Sequence, residues 1–149
     1  MMTEIFNTEF EISIRLLVLL DTIGLKVTAT RAAFLDFVST YGKNFGVTSE
    51  NLHGDNGYSF SEYAARKKIV DSALKSLVLE EYARPLYSRS GFAYKITKAG
   101  KLFCEQLNDE YADSYRENVQ RAQKYFIKYS DRELMKYINK YAVEKLKGD

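Results

Sequence analysis

One segment constrains this chain more than any other: the apolar stretch that opens at Phe10. Phe10, Ile14, Leu17 and Val18 mark one helical face, and Ile12, Leu16, Leu19, Leu20 and Ile23 mark another. A helix apolar on most sides is either sandwiched in a core or lies at a subunit interface. Its longest apolar run, residues 16–20 with Ile14 just before, falls well short of the roughly 20 residues a spanning helix needs. The spacing therefore predicts a buried helix from about Glu9 to Ile23. Thr8 is its expected N-cap, Glu9 and Glu11 occupy the favoured acidic first turn, and Gly24 ends it. Residues 1–8 read as an irregular arm. Glu4, Glu9 and Glu11, with no basic stretch ahead of them, argue against a secretory signal.

A second helix is predicted over about residues 30–41, capped by Thr28 or Thr30 and stopped by Gly42, with Phe34, Phe37, Val38 and Tyr41 at helical spacing. Residues 46–58 form a polar connection containing Gly54 and Asp55-Asn56-Gly57. That length exceeds the usual loop and suggests a working surface. A long third helix is predicted over about residues 60–80, capped by Ser59 or Ser61. Ile69, Val70, Ala73, Leu74 and Leu77 form its stripe; Lys67, Lys68, Asp71, Ser72 and Lys75 face away from it, and Glu62 pairs with Arg66. Residues 82–88 and 92–96 then alternate as two short strands about the tight turn Arg89-Ser90-Gly91. Pro85 places the first of them at a sheet edge.

Two helices, a longer helix and a hairpin, in that order, describe a winged helix-turn-helix. The stretch Tyr94-Lys95-Ile96-Thr97-Lys98-Ala99-Gly100 fits the end of a wing, with Thr97 capping the next helix and Gly100 permitting close packing. Leu102, Phe103 and Leu107 are expected to finish that core. Tyr111, Tyr115, Val119, Ala122, Phe126 and Tyr129 recur at three- or four-residue steps. Ser130-Asp131-Arg132-Glu133 is a capping box opening a last helix with Leu134, Ile138, Tyr141 and Ala142 in its stripe. The fold class expected is mainly α (α+β): a winged-helix domain over residues 1–108 and a C-terminal helical extension over 109–149.

Composition now limits the chemistry. One cysteine, Cys104, excludes an internal disulfide, and one histidine, His53, excludes a multi-histidine zinc site. A single cysteine without an export signal fits a reducing cytoplasm. Cys104 beside Phe103 reads as a small buried apolar group rather than as half of a dyad with His53. Asp109, Glu110 and Asp113 cluster at a helix start, where carboxylates suit the macrodipole. No phosphate-binding glycine loop is present. The expectation is a protein without catalytic, metal or cofactor residues.

Two surfaces stand out. Between Tyr82 and Cys104 the chain holds Arg84, Arg89, Lys95, Lys98 and Lys101 and no acid, although its net charge is only +2. These residues, with Arg66, Lys67, Lys68 and Lys75 of the long helix, are the candidate nucleic-acid contacts. That helix offers no Asn or Gln for reading adenine. Of 12 tyrosines, many fall late in the chain. Tyr111, Tyr115, Tyr125, Phe126, Tyr129, Tyr137 and Tyr141 could close the chain's own core, but tyrosine is enriched at interfaces, and these residues are the candidate partner interface.

The ordered motifs resemble the second type of middle component of bacterial ABC-three-component systems. The matching pieces are Phe6-Asn7-Thr8 ahead of an apolar helix with Arg15; residues 35–41 with Gly46 beyond; Asn51-Leu52-His53; the helix over 62–80 with Arg66; and residues 91–111 with the Tyr94-Lys95-Ile96-Thr97 pattern. One departure is Gly54-Asp55-Asn56-Gly57, where such proteins often carry a proline. The resemblance implies a winged-helix accessory subunit beside an SMC- or Rad50-like ABC ATPase and an effector, in Lamassu-like defence against phage and other invading DNA. ATP hydrolysis and DNA cutting would belong to those partners. Double-stranded DNA and a second copy of the chain are further candidate partners; a membrane is not. The rival reading is a homodimeric transcription regulator resembling the PadR or MarR type.

Overall fold

In a computed structural model of the chain, which describes residues 8–41, 59–89 and 91–148, helix α1 (Glu9–Ile23) is the central element. Ile12 and every residue from 15 to 20 on it are buried. It packs against α2 (Ala29–Thr40), α3 (Ser59–Leu79), α4 (Lys98–Glu105) and α5 (Glu110–Phe126). Of the two places open to a helix this apolar, the chain uses its own core. The ends form as the capping residues dictate. The Thr8 hydroxyl accepts the Glu11 N–H at 3.2 Å, and Gly24 turns left-handed at φ 73° to donate its N–H to the Leu20 carbonyl at 2.9 Å.

The protein is mainly helical. The described residues contain one antiparallel sheet of three strands, ordered β1-β3-β2: β1 (Val27–Thr28), β2 (Ala83–Ser88) and β3 (Gly91–Ile96). Pro85 lies on the edge strand β2, opposite Tyr94. Ser88 pairs with Gly91, which leaves a two-residue hairpin loop. Strand β1 escapes a sequence reading because two residues carry no alternation; it exists by pairing Val27 and Thr28 with Tyr94 and Ala93. Thr28 ends that strand and caps α2, accepting the Arg31 N–H at 3.1 Å.

Strand β3 enters α4 through Thr97. Its hydroxyl accepts the Gly100 N–H at 3.1 Å and donates to the Glu81 carbonyl at 2.7 Å. Gly100 sits where a methyl group would come 2.3 Å from the Tyr82 carbonyl oxygen and 2.7 Å from Ile96 Cγ1. Leu102, expected in the core, is exposed, because Gly100 and Cys104 take the buried face of this short helix. Phe103 and Leu107 are half-buried against the core.

Helix α5 and helix α6 (Asp131–Gly148) add to that core rather than extend away from it. Tyr115, Val119, Ala122 and Phe126 of α5, with Leu134 and Ile138 of α6, belong to the same buried cluster as Leu16 and Phe34. The capping box forms: the Glu133 N–H donates to Ser130 Oγ at 3.1 Å and the Ser130 N–H to Glu133 Oε1 at 2.9 Å. The turn between α5 and α6 is tied to the start of α2. Arg31 donates to the Phe126 and Tyr129 carbonyls, and the Thr28 hydroxyl donates to Asp131. The expected arm, the Gly42 stop, the 46–58 connection, and the side chains of Ser59, Ser61, Glu62, Tyr141 and Ala142 lie outside the described residues.

Candidate functional site

Three helices converge on one carboxylate. Asp36 of α2 is fully buried and accepts from Arg15 of α1 through both oxygens, at 2.9 Å from Nε and 3.1 Å from Nη2. Arg66 of α3 donates to Asp36 Oδ2 at 3.1 Å and to Thr40 Oγ1 at 2.8 Å. The Tyr115 hydroxyl of α5 donates to Asp36 Oδ1 at 2.7 Å. Burial opposes ionisation of Asp36, but the two guanidiniums and these hydrogen bonds outweigh it and hold the carboxyl well below the usual carboxylate range. Burial first, then the Asp36 charge, push the Tyr115 phenol well above its ordinary value. The Arg66 guanidinium also stands over the Phe37 and Tyr41 rings, 5.6 Å from each centroid.

This placement corrects the expectation for Arg66. It is 2% exposed, and its charge is committed to Asp36, so it cannot reach a phosphate from the surface. Its neighbours do lie outward: Lys68 and Lys75 are exposed and Lys67 is half-buried. Lys67 and Lys68 line a groove that α3 forms with Met135, Ile138 and Asn139 of α6.

The hairpin concentrates charge by register. Arg84 stands directly opposite Lys95. Like charges placed so are mutually destabilising, and among the described residues neither has an ion-pair partner. Arg89 follows in the loop, and Lys98 and Lys101 are exposed one turn apart on α4. At the tip Tyr87 and Phe92 face each other across the strands with ring centroids 5.2 Å apart. They are 84% and 57% exposed.

The tyrosines divide. Tyr115 and Phe126 are buried in the chain's own core, which corrects their assignment to a partner interface. Phe126 meets Phe34, Tyr129 and Tyr137 edge-on at centroid distances of 4.9, 5.1 and 5.2 Å. Tyr129 and Tyr137 are thus half-buried against that core. Tyr125 remains 53% exposed. Tyr111 is half-buried, and burial foremost pushes its phenol up to about 12. The side chain of Tyr141 lies outside the described residues.

Cys104 is buried as expected; burial, and then the charge of Asp21, push its thiol up to about 12, far from a nucleophile's range. His53 lies outside the described residues. Asp109 caps α5, accepting the Ala112 N–H at 2.8 Å, with Glu110 and Asp113 in the first turn. Among the described residues no group of acidic, histidine and cysteine side chains is arranged to hold a metal ion, and no helix is long and apolar enough to cross a membrane.

Sequence reasoning missed Asp36 as the anchor of the network. The available signal was a pair of charges inside apolar helical runs, Arg15 among leucines and Asp36 among phenylalanines. Each must find a partner once buried.

Compared with protein-family models, residues 5–147 match the model described as ABC-three component (ABC-3C) system Middle Component 2. No curated protein and no solved structure matches.

Proposed function

The chain belongs to the middle component 2 family of ABC-three-component systems, and from that premise we propose that it is a non-enzymatic accessory subunit joining an ABC ATPase to an effector. In this reading the ATPase is SMC- or Rad50-like and the complex defends a bacterium against phage and plasmid DNA from within the cytoplasm. The domain is a winged helix: β2 and β3 are the wing, and α5 and α6 are the C-terminal addition. The family match over nearly the whole chain carries this reading. The opposed Arg84–Lys95 pair supports a second element of it, contact between the wing and a DNA backbone. Two cations held side by side, with no carboxylate paired to either among the described residues, suit a phosphate.

Co-expression with the ATPase and effector of the same system tests the proposal. A stable complex through size-exclusion chromatography is expected, while the subunit alone shows neither nuclease nor ATPase activity. A subunit that purifies alone and never associates refutes it. A homodimer binding its own upstream DNA specifically at sub-micromolar concentration would favour a transcription regulator instead.

A further inference from the structure

Along the outer side of α1 two hollows adjoin, of about 480 Å³ and 400 Å³. Both are lined by Phe10, Ile14 and Phe103, so they form one apolar groove. One end is closed by Leu107 and Tyr111, the other by Leu77 and Tyr82. Phe10 projects into the groove at 72% exposure, unlike the buried leucines that follow it on the helix. The apolar floor continues beneath it, which separates Phe10 from an isolated surface aromatic.

The rim is acidic. Glu11 and Asp109 border the first hollow, and Glu9 and Glu80 border the second. Among the described residues none of these four carboxylates is in an ion pair. The one cation in the lining, Arg15, has its guanidinium turned inward on Asp36. None of the residues lining the two hollows belongs to a strand, so the groove itself offers no strand edge along which a peptide could extend. An amphipathic helix laid into the groove is the recognition mode that remains. Charge also selects among occupants. Residues 1–7 contain Glu4 and no lysine or arginine, so the chain's own arm does not complement the rim.

We propose that this groove receives an amphipathic helix of a partner protein, its apolar face over Phe10, Ile14 and Phe103 and its flanking lysines or arginines against Glu9, Glu11, Glu80 and Asp109. The inference rests on the accessory-subunit reading for the identity of the partner, since it supplies the docking surface which that reading requires.

The test has two arms. In the first, a fluorescent Leu/Lys amphipathic peptide of about five helical turns is titrated into the full chain, with a Leu/Glu peptide of the same pattern as control. The Leu/Lys peptide should bind, and Phe10→Arg and the pair Glu11→Lys, Glu80→Lys should each weaken it about tenfold or more. All three side chains reach solvent, and circular dichroism confirms that the variants fold. Failure of the Leu/Lys peptide to bind, equal binding of the Leu/Glu peptide, or variants that bind unchanged overturns the proposal. In the second arm the same variants enter the co-expression with ATPase and effector. A wild-type complex that Phe10→Arg disrupts upholds the groove; a complex that forms equally well with it overturns the groove and leaves the accessory-subunit reading standing. Peptide binding without any complex keeps the groove and sinks that reading. A photo-crosslinker replacing Phe10 should join a partner segment; a product with residues 1–7 or with a second copy overturns the choice of occupant.

Discussion

Replacing Asp36 by asparagine tests the account of the core most directly. The amide keeps the shape of the side chain and removes the charge. Two guanidiniums that now share a fully buried carboxylate would then face a neutral group, with Arg15 and Arg66 each about 1% exposed at the side chain. Removing one partner of a buried ion pair costs about 3–5 kcal/mol. For a chain of this length each kcal/mol corresponds to about 2–4 °C in Tm. The expected loss is therefore about 6–20 °C, read by circular dichroism or calorimetry. Tyr115→Phe removes a single hydrogen bond to the same carboxylate and should cost about 1.5–3 kcal/mol. Replacing the whole set with apolar residues, Arg15→Met, Asp36→Leu, Arg66→Met and Tyr115→Phe, should recover most of the loss, because the Asp36→Asn penalty is that of stranded charge. The pH dependence follows. Asp36 is depressed in the fold, so its contribution is full above the unfolded value near 3.9 and is lost as pH falls toward the folded value. Tyr115 is raised, so its contribution is full below about 10 and is lost as pH rises beyond it. If Asp36→Asn melts within about 2 °C of wild type, the carboxylate does not hold the three helices and the reasoning fails.

Gly100→Ala should cost about 1–3 kcal/mol, because its methyl meets the Tyr82 carbonyl, a backbone atom that cannot swing aside; an unchanged urea midpoint would show that α4 sits farther from the sheet. Cys104 should resist a disulfide reagent at pH 8 in the native protein and react once urea unfolds it; stoichiometric labelling of the folded chain within minutes would contradict its burial. Changing Arg89, Lys95 and Lys98 together to Glu should abolish DNA binding and leave the melting curve in place. A milder version with Gln should lower the slope of log affinity against log salt by about 0.9 for each phosphate that is no longer neutralised.

The parts legible in the sequence are those whose signals are local. Thr8, Thr28, Thr97 and Asp109 each accept a backbone N–H three residues ahead, a relation contained within four letters. Pro85 marks an edge strand because it lacks the donor that a central strand requires. The network around Asp36 was not legible in this way. Its partners stand 21, 30 and 79 residues off, and only the packing of four helices brings them together. Arg66 shows the consequence. At helical spacing it sits between Lys67 and the apolar stripe, and whether it faces water or Asp36 depends on where α2 lies. The tyrosines failed similarly, since Tyr115 and Tyr125 share one helix and only the position of α1 and α2 buries the first.

Helix α1 unites the core and the proposed docking surface. Arg15 aims inward at Asp36, while Phe10, Glu11 and Ile14 line the outer groove within the preceding turn and a half. The pitch of the helix makes these placements dependent on each other: the orientation that delivers Arg15 to the carboxylate also turns Phe10 and Ile14 toward Phe103. An arginine in the buried apolar stretch of this helix thus does more than satisfy a buried acid. It sets the rotation of α1 against α2 and α3, and that rotation decides which residues the groove presents. Asp36→Asn, compared with the separate apolar set as a stable control, should therefore weaken binding of the Leu/Lys peptide although no atom of Asp36 lines the groove. If that variant, still folded at 10 °C, binds the peptide as wild type does, then packing alone orients α1 and the network has no part in recognition.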